Sequence, residues 1–278
     1  MRHTPRAALA ALVLALALTA CGSGATATAP VQPPTTRTAE QAGLDEDLRA
    51  AAWENDVAQA RQLIALGADV NAKDETQQSA YLIATSEGYL ELLRLTLAHG
   101  ARVDDKDSWD GTGLIRAAER GHADVVGELL RAGIDRDHVN RIGYQAIHEA
   151  VFLGADTPAY ATTVRVLAAG GVELDRRSPS AKLTPLEMAR ERGYAGLEGI
   201  LETLTTAPRP TDPDAALLGA ARAGDADAVA VALRAGADID TRGEQGRTAL
   251  QLAAGRDHAA VENLLRAMGA SHEAVSNG

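Results

Sequence analysis

The 278-residue chain holds one thiol, Cys21, so neither an internal disulfide nor a thiolate cluster of the C-x₂-C type can brace its fold. Other residues with chemical capacity are equally sparse. His148-Glu149 opens like the zinc pattern H-E-x-x-H, but the fifth position is Phe152 and the second ligand is missing. No serine sits in a G-x-S-x-G elbow. Gly22-Ser23-Gly24 follows no strand and lacks the closing glycine of a dinucleotide loop. The acidic runs Asp104-Asp105-Lys106-Asp107 and Asp135 to Asp137 lack the glycine and glutamate that a calcium loop places at its sixth and twelfth positions. They read as solvated charges at loop tips. No catalytic residue, metal or cofactor is therefore assigned.

With 46 % hydrophobic and 23 % charged residues the composition is that of a globular chain. Alanine supplies 58 residues and aromatics only eight, which favours small helices packed closely together. Before any fold comes a leader: Arg2 and Arg6, an apolar run from Ala7 to Leu18, then Thr19-Ala20-Cys21-Gly22. Twelve apolar residues are too few for a membrane-spanning helix, which needs about 20. Leu18-Thr19-Ala20-Cys21 resembles the bacterial lipobox, which implies a signal peptide over residues 1–20, cleavage before Cys21 and a diacylglyceryl group on its sulfur. Ordinary secretion with cleavage near Ala25-Thr26-Ala27 is the alternative. Two acyl chains would anchor the mature protein to a bacterial membrane on the side facing away from the cytoplasm. The formal charge of −11 becomes −13 once Arg2 and Arg6 leave, so nucleic acid is not an expected partner. Residues 21–43, with three prolines and no apolar period, read as a flexible tether.

From residue 44 the chain repeats itself. Gly67-Ala68-Asp69-Val70-Asn71, Gly100-Ala101-Arg102-Val103-Asp104, Gly133-Ile134-Asp135 and Gly236-Ala237-Asp238-Ile239-Asp240 are variants of one motif, the first three 33 residues apart. Twelve residues after each glycine stand Ser79, Thr112, Gln145 and Thr248, and nine further on Gly88, Gly121, Gly154 and Asp257. Thr112-Gly113-Leu114-Ile115-Arg116-Ala117-Ala118 followed by Gly121-His122, Val125-Val126 and Leu129-Leu130, together with Thr184-Pro185-Leu186-Glu187-Met188-Ala189, closely resembles the ankyrin repeat. That resemblance implies an all-α solenoid of stacked helix-turn-helix units joined by hairpin loops. Ala-Ala would face the neighbouring unit, the Val and Leu pairs would bury the outer helix, and glycine would end each helix. No unit buries its apolar face alone, so stability is close to a sum over neighbours.

Seven units cover residues 44–272: five over 44–204 and two over 214–272, with a disordered tail over 273–278. The period breaks twice. Five extra residues near 155–160 predict a protruding loop, and Thr205 to Pro213, with three prolines, predicts a non-standard joint. Two units fall below the stable minimum, so the second block is expected to stack on the first.

His148 takes the histidine slot of the repeat, where the family uses it to tie backbone across a turn. What remains for function is surface. In the resembled family, the variable positions after Ala-Ala and at the hairpin tips contact partners on a concave side. Here the first set comprises Trp53 and Glu54, Ser86 and Glu87, Glu119 and Arg120, Phe152 and Leu153, Glu191 and Arg192, and Arg222 and Ala223. The tips bring Glu75, Thr76, Ser108, Trp109, Arg141, Ile142, Tyr144, Glu244, Gln245 and Arg247. Trp53, Trp109, Tyr144, Phe152, Leu153, Glu119, Arg120 and Arg141 are the candidate contacts: aromatic anchors, of the types enriched at binding hot spots, inside an acidic rim. Trp53 covering the end of the stack, and Phe152 and Leu153 packing under the insertion, are the structural alternatives. The expectation is a non-enzymatic module, lipid-anchored through Cys21, that binds a protein not identified by the sequence. An enzyme with its site in the insertion or joint, and an architectural or self-associating envelope protein, are the competing classes.

Overall fold

The computed structural model describes residues 38–243 and 245–271, which fall within one compact unit. The leader, Cys21, the tether up to Arg37, Glu244 and the tail from His272 lie outside the described residues.

The described residues form fourteen helices and no strand, in seven antiparallel pairs. The pairs are α1 (Ala39–Trp53) with α2 (Val57–Ala65), α3 (Ala80–Glu87) with α4 (Leu90–Ala98), α5 (Gly113–Glu119) with α6 (Ala123–Arg131), and α7 (Ala146–Phe152) with α8 (Pro158–Ala169). Then come α9 (Pro185–Arg192) with α10 (Ala195–Thr206), α11 (Pro213–Ala223) with α12 (Ala226–Arg234), and α13 (Ala249–Ala254) with α14 (Ala259–Ala267). Helix α1 starts earlier than the composition of the tether indicates, because Thr38 and Gln41 form a capping box. None of these helices is long and apolar enough to cross a membrane.

Each inner helix starts on a polar residue, Thr, Ser or Asp in six units and Gln145 in α7. Ser79 accepts the Leu82 amide, and Thr184 and Thr248 close capping boxes with Glu187 and Gln251. The alanines Ala52, Ala84, Ala117, Ala118, Ala150, Ala189, Ala221 and Ala253 are buried between inner helices, where a larger side chain would push the units apart. His122 explains the Gly-His slot: its Nε2 lies 3.2 Å from the Ser86 carbonyl, and its ring sits where a Cβ on Gly88 would stand, 2.6 Å away. Gly88 also has φ +78°, so glycine is required there twice over.

The hairpins are tied by carboxylates and an amide at the same period. Asn71 accepts the Arg102 amide (2.8 Å), Asp104 the Asp135 amide (2.7 Å) and Asp137 the Glu173 amide (2.9 Å). Asp105 pairs with Lys73 at 2.6 Å, and the Asp107 side chain is only 4 % exposed. The acidic run is therefore structural bonding, Asp104 and Asp105 to neighbouring hairpins and Asp107 within its own unit, not a set of solvated tips.

The insertion differs from expectation, whereas the second block does pack on the first, by its outer helices. The extra residues near 155–160 do not protrude: Pro158 starts α8, which has twelve residues where most outer helices have nine. Asp156 accepts the Gly196 and Leu197 amides at the start of α10, and the Tyr160 hydroxyl donates to the Glu119 carbonyl (2.9 Å). The insertion is thus sewn to units on both sides.

At the joint, inner helices pack successively from α1 to α9, but α11 and α13 form a separate pair. The second block turns back and docks by its outer helices: α12 against α8 and α10, α14 against α6 and α8. Arg165 pairs with Asp227 at 2.6 Å, Arg234 donates to the Ala168 and Val172 carbonyls (3.0 and 2.8 Å), and Arg131 donates to the Ala267 carbonyl (2.6 Å). Arg131 and Arg234 thus meet carbonyls at or just beyond the C-termini of α14 and α8, where the helix dipole is negative.

Candidate protein-binding surface

Six large apolar side chains are exposed among the described residues: Trp53, Leu66, Trp109, Ile142, Phe152 and Leu153. All but Leu66 lie at the ends of inner helices or on hairpin tips, so the apolar exposure is concentrated on one side of the repeat.

Trp53 ends α1, whose last buried pair is Ala51-Ala52, and this register leaves its ring 49 % exposed. Trp109 crowns a tip organised by Asp107. That carboxylate accepts the Trp109 amide (2.8 Å) and the Gly111 amide (2.9 Å) and pairs with Arg116 of α5. Trp109 is 54 % exposed. Although 56 positions apart, the two indoles line one hollow of about 380 Å³, floored by Leu82 and Ser86 and edged by Arg116 and Arg120.

The rim is not the acidic one expected. Arg120 pairs with Glu87 and also donates to the Ser86 carbonyl (3.2 Å), while Arg116 bonds Glu119 at 2.7 Å besides Asp107. Asp107, the carboxylate that lines the hollow, is thereby compensated. Arg120 thus edges the hollow as the partner of Glu87, while Glu119 stands behind it, holding Arg116. Arg141 follows on the next tip, exposed, its amide bonded to the Trp109 carbonyl (3.0 Å).

Tyr144 is placed differently from its expected role. It is 5 % exposed, stacked at 5.9 Å on His148 and 5.0 Å from Phe152, because the chain turns inward through Gly143 (φ +99°) to reach the Gln145 cap. Tyr144 supports Phe152 from below and offers no free face. Phe152 carries the Arg192 guanidinium over its ring at 5.2 Å, and Leu153 beside it is 51 % exposed, so neither is covered by the insertion.

Titrating groups near this surface serve the fold. His148 accepts the Gln145 amide on Nδ1 (3.4 Å) and meets the Arg176 carbonyl with Nε2 (3.0 Å); burial lowers its pKa, keeping the ring neutral. In Asp74, burial pulls the pKa upward but hydrogen bonds from Thr76 and Gln78 outweigh it, and the carboxyl ends below its ordinary value. Glu149 goes the other way. It is 1 % exposed, and burial raises its pKa against the single hydrogen bond from Asn140 (2.6 Å). Among the described residues, no group of three or more His, Cys, Asp or Glu side chains could hold a metal ion.

The family model for ankyrin repeats in three copies matches residues 48–138 and again 81–178. A protein of Escherichia coli (strain K12) named as an ankyrin repeat protein, YahD, is 33 % identical over 140 residues, spanning 50 % of this chain and 69 % of its own. A homolog of the transient receptor potential cation channel subfamily A member 1 from Caenorhabditis elegans is 30 % identical over 191 residues; the match covers 68 % of this chain but 15 % of the channel. The crystal structure of an ankyrin repeat domain from Acinetobacter baumannii AYE superposes with a TM-score of 0.54 at 42 % identity, covering 57 % of this chain and 80 % of that one.

Proposed function

The chain belongs to the ankyrin-repeat proteins, whose fold is generally a non-enzymatic interaction scaffold, and from that premise we propose that it binds a protein partner over the hollow framed by Trp53 and Trp109. The observation that carries this reading is the convergence of two half-exposed indoles from different units on one hollow. Exposing two such rings gives up burial worth about 1.5–3 kcal/mol for a large apolar side chain, a cost a partner would recover. Arg141, Phe152 and Leu153 extend the same surface.

We further propose that the module is held at the extracytoplasmic face of a bacterial membrane by acyl chains on Cys21. Support comes from the leader residues Arg2, Arg6 and Ala7 to Leu18 and from Leu18-Thr19-Ala20-Cys21. Metabolic labelling with an alkyne palmitate should mark the wild type and leave Cys21→Ser unlabelled; equal labelling would refute the anchor.

The binding role is tested by placing a photo-crosslinking residue at Ser108, exposed next to Trp109, in intact cells. One dominant adduct is expected, lost in the Trp53→Ala and Trp109→Ala backgrounds while the fold is retained. An adduct indifferent to both substitutions would reject the hollow as the docking site.

A further inference from the structure

Where the array turns back, a second hollow of about 310 Å³ opens between the hairpin after α8, the end of α10, the joint and α12. It lies apart from the Trp53–Trp109 surface, and no position of the repeat motif specifies it. Its lining is mixed: Val231 and Ala207 are half-buried, with Leu174 and Leu204 buried behind them at 5 % exposure each, and Thr205 is exposed beside them.

Two arginines line it. Arg209, from the joint, donates through Nη2 to the Ala235 carbonyl (2.8 Å), and Arg234 donates through Nη1 to the Ala168 and Val172 carbonyls. One nitrogen of each guanidinium is thus fixed, and a guanidinium carries five N–H donors. Neither arginine has a carboxylate within ion-pair distance among the described residues, in a chain with 38 acidic and 27 basic side chains. Asp175 also lines the hollow, exposed and without an ion pair, which leaves the site a net single positive charge.

We infer that this hollow binds a small monocarboxylate with an apolar body, a ligand suited to a pocket at the lower end of the usual size range. The carboxylate bridges Arg209 and Arg234, and the apolar body lies on Val231 and Ala207, with Leu174 and Leu204 behind them. A guanidinium fork matches a carboxylate in geometry as well as charge. The charge of Asp175 disfavours a dianion such as phosphate. Because the walls come from both blocks, the ligand fastens the second block to the first, and its binding adds to the stability of the docked state by mass action.

Octanoate is the probe, titrated into the full chain by calorimetry and by methyl NMR, with octanol, octylamine and inorganic phosphate as comparisons. Saturable binding of octanoate alone is expected, with shifts confined to the methyls of Leu174, Leu204 and Val231 and their neighbours. Arg209→Gln and Arg234→Gln should each weaken it at least about tenfold, as expected for a lost hydrogen bond to a charged group. Melting without ligand shows whether either variant is undocked, and the wild-type comparison of the four probes stands without them. Octanol or phosphate binding as well as octanoate, shifts scattered over the repeats, no saturation, or both folded variants binding as wild type would each overturn the assignment.

Discussion

Gly127 of α6 lies so close beneath Ala267 of α14 that a methyl group on it would stand 1.9 Å from the Ala267 carbonyl oxygen. That same oxygen accepts Arg131 Nη1 at 2.6 Å. A glycine inside a helix costs roughly 0.5–1 kcal/mol relative to alanine, and here the cost admits the last unit to the back of the third.

Gly127→Ala should therefore destabilise the protein by about 1–3 kcal/mol, the scale of an overpacked contact, although alanine is the better helix former. Amide exchange in Ala259–Ala267 should accelerate well before that in Ala80–Glu87. A variant that melts above wild type would show that the two blocks do not pack as described.

Trp53→Ala and Trp109→Ala should each cost about 1 kcal/mol or less in folding, since both rings are half-exposed, yet weaken partner capture at least about tenfold. Tyr144→Ala supplies the contrast. Its ring is 5 % exposed, and its loss should cost about 3–5 kcal/mol in urea unfolding.

Asp107→Ala should unravel the tip beneath Trp109, because two amides and the Arg116 guanidinium lose their acceptor. A loss of about 2–4 kcal/mol is expected, with partner capture reduced alongside. Asp107→Asn should restore most of it. Asn140, 33 positions on, already holds its own tip by accepting the Ile142, Gly143 and Tyr144 amides. Equal damage from both substitutions would assign the effect to charge and not to tip geometry.

Glu149 takes the position in its unit that Arg116 takes in the one before, and its Oε2 is buried without a hydrogen-bond partner. Burial raises its folded pKa above the ordinary 4.5, so the folded state binds the proton more tightly than the unfolded chain. Its contribution to stability is fully present below 4.5 and is lost as pH rises through the folded value. Glu149→Gln should accordingly be more stable than wild type at pH 7, with the difference closing toward pH 4 in paired urea titrations. A difference independent of pH would mean the carboxyl is not held in its neutral form.

Much of this architecture was legible in the chain because glycine, alanine and helix caps recur at a strict spacing wherever a backbone must turn or units must touch. Ser79, Ala117-Ala118 and Gly121 each do in three dimensions what their spacing implies. The turning back of the second block was not legible. Its contacts use Arg131, Arg165 and Arg234, which read along the sequence as ordinary polar positions of outer helices. One signal existed: Gly127 interrupts Val125-Val126 and Leu129-Leu130, where the outer-helix pattern needs no glycine. At the surface, spacing located Trp53 and Trp109 as residues the core does not need, but their shared hollow depends on how α1 and the tip over 107–111 are set across two units. Tyr144 departs from the expected exposed tip because a position adjoining a helix cap can turn its ring inward, and no periodic rule marks that choice.

In a simple linear array a duplicated or deleted motif only lengthens or shortens the molecule. Here α12 and α14 must land on α8 and α6, so the number of motifs between those partners is counted by the structure itself. Copying the unit over Thr184 to Leu204 would carry the following pair past its berth and leave Arg131 and Arg165 facing water. This protein has thereby given up the freedom to grow that its architecture ordinarily grants, and insertions should be accepted only before unit three or after the last helix.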